Sequence, residues 1–195
     1  MVLRPYQFYA AEAILKQVKE STQNGYIWHT TGSGKTLTSF KASQLLTALP
    51  EVHKVLFVVD RNDLDFQTQE EFNFFADGSV DGNSRTKLLV DQLLDRYIDP
   101  GTKKPKINKL IVTTIQKLNN AISRNRYSKE LQELRDKKIV FLFDECHRSQ
   151  FGETHANINR FFTNNQMIGF TGTPIFNKNK VANKYGKWIT EQLFP

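Results

Sequence analysis

The sequence predicts an α/β fold in which a mainly parallel central sheet lies between two layers of helices, and three observations predict it. Five short runs are continuously apolar rather than alternating, which is how strands covered on both faces read. Segments with helical spacing fall between those runs, and strand–helix–strand order with right-handed crossovers builds an open parallel sheet. A polar residue also stands at or just past the end of each run: His29, Asp60, Thr114, Asp144 and Thr171. Open α/β sheets bind their ligands there, at the carboxyl ends of the strands.

Taken in order, the first element is a helix: Tyr6, Ala10, Ile14 and Val18 recur every four residues, joined by Ala11 and Leu15, with Gln17, Lys19 and Glu20 facing away. The first strand is Tyr26-Ile27-Trp28, followed by a helical stretch from Leu37. Val55 to Val59 is the second strand, with helices expected over 64–75 and 88–97. Leu110 to Thr113 is the third, leading to a helix over 115–122. Ile139 to Phe143 is the fourth, then a helix over 156–162, and Met167 to Phe170 is the fifth. Residues 78–84 and 99–106 have the Gly, Pro, Asn and Asp content of surface loops, and the Asn- and Lys-rich stretch 177–187 reads as a solvated tail. No internal repeat or boundary divides the 195 residues, so one domain with one sizeable core is expected.

Hydrophobic residues make up 39% and charged residues 24%, the mix of a globular protein. No apolar run nears the ~20 residues of a membrane-spanning helix, and the first ten residues lack the apolar core of a signal peptide. Cys146 is the single cysteine, which excludes an intrachain disulfide and fits an intracellular setting. A zinc site is not expected without a second cysteine or a histidine cluster. The formal charge of +7 favours polyanionic partners, because neutralised phosphates release counterions. Charge alone does not identify such a partner.

The chemistry concentrates at two strand ends. His29-Thr30-Thr31-Gly32-Ser33-Gly34-Lys35-Thr36, between a strand and a helix, has the form of a phosphate-binding loop. Gly32 and Gly34 permit turns that aim backbone N–H groups inward at a phosphate. The helix N-terminus adds positive potential, Lys35 neutralises the outer phosphates, and the Thr36 hydroxyl is placed for magnesium. Thr31, Gly32, Ser33, Gly34, Lys35 and Thr36 are thus the expected ATP-binding set, with His29 standing where the usual pattern has Gly or Ala. At the end of the fourth strand comes Asp144-Glu145-Cys146-His147. Asp144 is expected to hold magnesium through water. Glu145, on the opposite side of the chain, is expected to orient the attacking water and take its proton. Cys146 is read as a packed residue, and His147 as a link between the nucleotide site and a neighbouring strand end.

These motifs resemble those of superfamily-two helicases. Asp144-Glu145-Cys146-His147 resembles the DEAD/DEAH box, and Phe170-Thr171-Gly172-Thr173-Pro174 resembles the segment that senses the γ-phosphate and couples it to domain movement. Arg4-Pro5-Tyr6-Gln7 resembles the Q motif, in which the Gln7 amide reads the adenine edge. Val58 to Gln67 and Val112 to Lys117 look like segments that track a DNA strand, which implies DNA contacts from Arg61, Gln67, Thr114, Gln116 and Lys117. The resemblance implies a RecA-like P-loop three-layer sandwich, with ATP and Mg2+ as cofactors, Lys35, Asp144 and Glu145 as catalytic groups, and His147, Thr171, Gly172 and Thr173 as coupling groups.

The wording of Leu3 to Gln7, Trp28 to Thr36, Thr113 to Lys117 and Asp144 to Gln150 is similar to the restriction (R) subunit of type I restriction–modification enzymes, and His29 fits that pattern. This implies the first motor lobe, over residues 1–195, of a larger cytoplasmic prokaryotic enzyme that translocates double-stranded DNA beside modification and specificity subunits. A nuclease domain and a second lobe would lie outside it. Another superfamily-two motor, from repair or type III restriction, would share the same catalytic roles. A small-molecule P-loop kinase would leave Gln7 and Thr171 to Pro174 without a task, and a nucleotide-binding module without catalysis remains open for a lone lobe.

Overall fold

The computed structural model describes residues 3–30, 33–59, 86–144, 146 and 151–174. In chain order these form α1 (Pro5–Glu20), β1 (Gly25–Trp28), α2 (Lys35–Thr47), β2 (Lys54–Val59), α3 (Thr86–Leu93), β3 (Leu110–Thr114), α4 (Ile115–Ser123), α5 (Asn125–Glu130), a 3₁₀ turn (Leu131–Leu134), β4 (Ile139–Phe143), α6 (Phe151–Phe161) and β5 (Asn165–Thr171). The stretches 64–75, 78–84 and 177–187 lie outside the described residues.

All five expected strands are present and pair in parallel, in the order β1-β5-β4-β2-β3. The α/β class read from the sequence holds, with helices on both faces. Alternation along each strand serves both layers. In β2, Leu56 and Val58 pack toward α3, α4 and α6, while Val55, Phe57 and Val59 pack toward α1 and α2. β4 divides likewise, with Ile139, Phe141 and Phe143 on the first face and Val140 and Leu142 on the second. Every residue of β2 and β4 is buried, hence their unbroken apolar reading.

Three details differ from the sequence reading. The buried stripe of α1 is Gln7, Ala11, Ile14 and Val18, whereas Tyr6 lies 42% exposed. A strict four-residue spacing drifts around a helix of 3.6 residues per turn, so Tyr6 and Ala10 rotate off the core. Helix α5 and the 3₁₀ turn after it are not among the elements expected above; Tyr127, Leu131 and Leu134 anchor them to the core. Lys54, at the start of the β2 run, is 1% exposed; its ammonium donates to Asp95 and to the Asn108 carbonyl. An ammonium tolerates such burial only when paired.

Candidate active site

The carboxyl ends of β1, β5 and β4 form one edge of the sheet. The register brings Trp28 beside Thr171, and Phe143 beside Gly169. The ladder continues past the strand ends, with the His29 N–H donating to Thr171 O at 2.9 Å, Asp144 N–H to Val58 O at 3.0 Å and Cys146 N–H to Phe170 O at 3.1 Å. The tip of β5 therefore lies between the phosphate loop and the acidic tip of β4.

From β1 the chain enters the loop and turns into α2 at Gly34, whose φ of +76° is left-handed and favours glycine. A β-carbon on Gly34 would also meet Gln7 Nε2 at 2.5 Å. The loop is held from outside by α1. Tyr6 donates its hydroxyl to Ser33 O at 2.7 Å, and the Gln7 amide nitrogen donates to Ser33 O and Gly34 O, each at 3.3 Å. The Gln7 carbonyl accepts from Arg4 N–H at 2.9 Å, half of a capping box at the start of α1. Thr38 adds its own N–H and hydroxyl to Gly34 O at 3.1 and 3.2 Å. Donors on α1 and α2 thus engage the carbonyls of Ser33 and Gly34.

His29 completes the brace. Its side chain is 6% exposed, its ring lies 5.9 Å from that of Tyr6, and Nδ1 is 2.8 Å from Ser33 Oγ. Ser33 spends its one hydroxyl proton on Thr30 O at 2.6 Å, so Nδ1 carries the proton that Ser33 Oγ accepts. Burial first, and the Lys35 charge second, hold the imidazole below the usual histidine range and favour its neutral form.

Across the sheet edge, Lys35 Nζ stands 3.3 Å from Asp144 Oδ1, with the two side chains 16% and 14% exposed. The start of α2 supplies the cation and the tip of β4 the carboxylate, and the two face one shared, partly screened space. The hydroxyl and carboxylate oxygens offered by Thr36 and Asp144 are hard donors of the kind magnesium takes, and the glycine-built loop suits a phosphate, so the residues fit both groups. Thr171 is fully buried, and its hydroxyl accepts from Thr173 N–H at 3.1 Å, which closes the turn after β5. Gly172 O accepts from the Trp28 indole N–H at 3.3 Å, a link that only the exposed tryptophan at a strand tip hinted at.

Thr114 lies at the tip of β3, four strand spacings or ~19 Å from β1 across the sheet. Its hydroxyl caps α4 by accepting from Lys117 N–H at 3.3 Å, and Gln116 and Lys117 form the half-buried first turn of that helix. The structure thus brings together Gln7, Ser33, Gly34, Lys35 and Asp144, with Thr36 in the first turn of α2 and Thr171 to Thr173 adjoining. Thr114, Gln116 and Lys117 stand apart from them. Thr31, Gly32, Glu145, His147, Asp60, Arg61 and Gln67 lie outside the described residues. Cys146 is 4% exposed, and burial together with the Asp144 charge pushes its thiol up to about 12, as suits a packed residue.

A family model described as the SWI2/SNF2 ATPase matches residues 6–193. A type I restriction enzyme endonuclease subunit of Staphylococcus saprophyticus is 52% identical over 180 residues, covering 92% of this chain and 18% of that protein. The chain therefore spans under a fifth of that relative's length. A putative type I restriction enzyme endonuclease subunit, C-terminal part, of Mycoplasma pneumoniae is 47% identical over 83% of this chain and 79% of its own length. Among solved structures, a nuclease-deletion mutant of the type ISP restriction-modification enzyme LlaGI, in complex with a DNA substrate mimic, superposes with a TM-score of 0.64 at 22% identity. It covers 95% of this chain and 19% of that one, and shares the fold.

Proposed function

Because the chain belongs to the SWI2/SNF2 ATPase family, within the group of type I restriction enzyme endonuclease subunits, we propose that it is the lobe that binds and hydrolyses magnesium-ATP to drive double-stranded DNA translocation. The observation that carries this reading is the convergence of Lys35, from the start of α2, and Asp144, just past β4, 3.3 Å apart beside a glycine-built loop. Lys35 neutralises the outer phosphates, Thr36 and Asp144 hold the metal, and Glu145 orients water and takes its proton. Magnesium, when bound, neutralises charge that develops on the phosphates. Gln7, whose amide braces the loop carbonyls at 3.3 Å, is assigned to the adenine edge, so that one side chain would both hold the loop and meet the base.

Thr171, Gly172 and Thr173, with His147, would pass the state of the phosphate to a second lobe. Arg61, Gln67, Thr114, Gln116 and Lys117 would meet the DNA backbone without reading bases. In this reading the chain acts in the cytoplasm of a prokaryote, with modification and specificity subunits as partners; among the described residues no helix is long and apolar enough to cross a membrane. An arginine contributed by a second lobe typically accelerates such hydrolysis by a thousandfold or more, so the 195 residues alone should bind nucleotide yet turn it over very slowly.

Calorimetric titration of magnesium-ATP, with turnover measured with and without duplex DNA, tests this beside Lys35→Ala. The expected result is binding that the substitution abolishes and negligible turnover in both chains. Brisk turnover indifferent to DNA would point to a self-sufficient P-loop enzyme instead. For the DNA surface, Arg61→Ala combined with Lys117→Ala should flatten the salt dependence of duplex binding, and an unchanged slope would remove those residues from the interface.

A further inference from the structure

Consecutive side chains within β1 serve opposite faces of the sheet. Tyr26 packs against the core shared with α3, α4 and α6, and Ile27 against the core shared with α1 and α2. Continuing that alternation sends Trp28 to the first face and His29 to the second, where its ring meets Tyr6. His29 grips the phosphate loop through Ser33, while Trp28 reaches the turn after β5 and donates its indole N–H to Gly172 O at 3.3 Å. The backbone between them is tied to the same turn, since His29 N–H donates to Thr171 O at 2.9 Å. Two successive carbonyls of the coupling segment, Thr171 and Gly172, are thus held by two successive residues of the strand that feeds the loop.

The exposure of Trp28 makes this contact informative. At 62% exposure its ring adds little to the core, so burial does not account for so large an aromatic side chain at a strand tip. A phenylalanine would keep an aromatic ring at this position without the donor.

We propose that Trp28 is a positioning residue of the ATPase reaction, whose indole N–H holds Gly172 so that the phosphate loop and the Thr171–Thr173 turn move as one unit when nucleotide binds. The proposal rests on the magnesium-ATP reading given above. Nucleotide that draws in the loop pulls on His29 through Ser33. The end of β1 carries the displacement, and Trp28 passes it to Gly172 on the opposite face. Trp28 touches neither phosphate nor metal in this scheme, so its loss uncouples the turn while the loop still binds.

Hydrogen–deuterium exchange of residues 165–174, with and without magnesium-ATP, tests this on the whole chain and on Trp28→Phe, with nucleotide affinity measured in parallel by calorimetry. In the native chain nucleotide should slow exchange at Gly172 and Thr173. In Trp28→Phe the affinity should stay within about threefold while the nucleotide-dependent protection falls about fivefold, the value of one ordinary hydrogen bond. A merely structural tryptophan would raise exchange equally with and without nucleotide and leave that ratio unchanged, which overturns the proposal. Bound nucleotide with no protection of the turn in the native chain also overturns it. Failure of the native chain to bind magnesium-ATP at all is a distinct result, and removes the underlying reading as well. As a spectroscopic check, Trp28 emission in a Trp188→Phe background should shift on nucleotide addition and not in the same background carrying Lys35→Ala; a constant emission with nucleotide bound counts against the link.

Discussion

Replacing Gly34 by alanine perturbs the phosphate loop in a way the structure makes quantitative. At φ +76° a side chain bears the left-handed penalty, about 1–2 kcal/mol. The new methyl group would also lie 2.5 Å from Gln7 Nε2, closer than van der Waals contact allows. Gln7 is 4% exposed and cannot swing into solvent, so it must give up its two 3.3 Å bonds to Ser33 O and Gly34 O. Bonds of that length fall at the weak end of the usual range, about 0.5 kcal/mol each. The sum, about 2–3 kcal/mol, corresponds to a ~30-fold or greater rise in the magnesium-ATP dissociation constant. Gln7→Ala alone should cost only ~5-fold in affinity, the two weak bonds to the loop without the strain, while its third bond, from Arg4 N–H at 2.9 Å, counts toward the stability of α1. The double variant should be less impaired than the product of the two, because removing the Gln7 amide clears the space that the added methyl group needs. Calorimetry on the four chains reads the cycle directly. Native affinity in Gly34→Ala, or strict additivity in the double variant, would refute the claim that α1 shapes the loop through Gln7.

Three further outcomes follow from other contacts. Asn24 donates its amide to His155 Nε2 at 3.4 Å while its own carbonyl is pinned by Met167 N–H at 2.8 Å, so the ring must stay an acceptor, and burial lowers its pKa below 6.5. A histidine lowered on folding contributes stability that is full above pH 6.5 and lost as pH falls through its folded value. Melting temperature should therefore drop between pH 7 and pH 5, and less steeply in His155→Gln; equal slopes would discard the assignment, with His29 and His53 supplying the remainder. Cys146, buried with its thiol pushed up to about 12, should react with an alkylating reagent at pH 8 at least ~100-fold more slowly than in the urea-unfolded chain. Thr114→Val removes the α4 cap at nearly constant volume and should cost about 1 kcal/mol, or ~2–4 °C in melting temperature, and an unchanged melt would deny the cap its role.

The sequence by itself determined the class of fold and pointed to the strand ends where the candidate site lies. Continuous apolar runs belong to strands buried on both faces, and all five appear where the runs stand, because double burial constrains composition locally. The candidate phosphate loop and Asp144 were equally legible as motifs, since a ligand site at strand tips needs particular residue types in a short contiguous segment. The strand order β1-β5-β4-β2-β3 was not legible, because periodicity says that a strand is buried and nothing about which neighbour buries it. It is that order which sets the tip of β5, with Thr171, between the tips of β1 and β4, and lets Lys35 meet Asp144. Gln7 shows the same division. The sequence placed it at the start of a helix, in a pattern associated with adenine, and only the packing of α1 on α2 turned its amide onto the loop carbonyls. Lys54 read as the boundary of an apolar run and became a deeply buried ion, once a turn 41 residues later brought Asp95 to it. Local burial demands are written in a few adjacent residues, whereas contacts between distant segments depend on how the layers close, and that was settled by the tertiary structure alone.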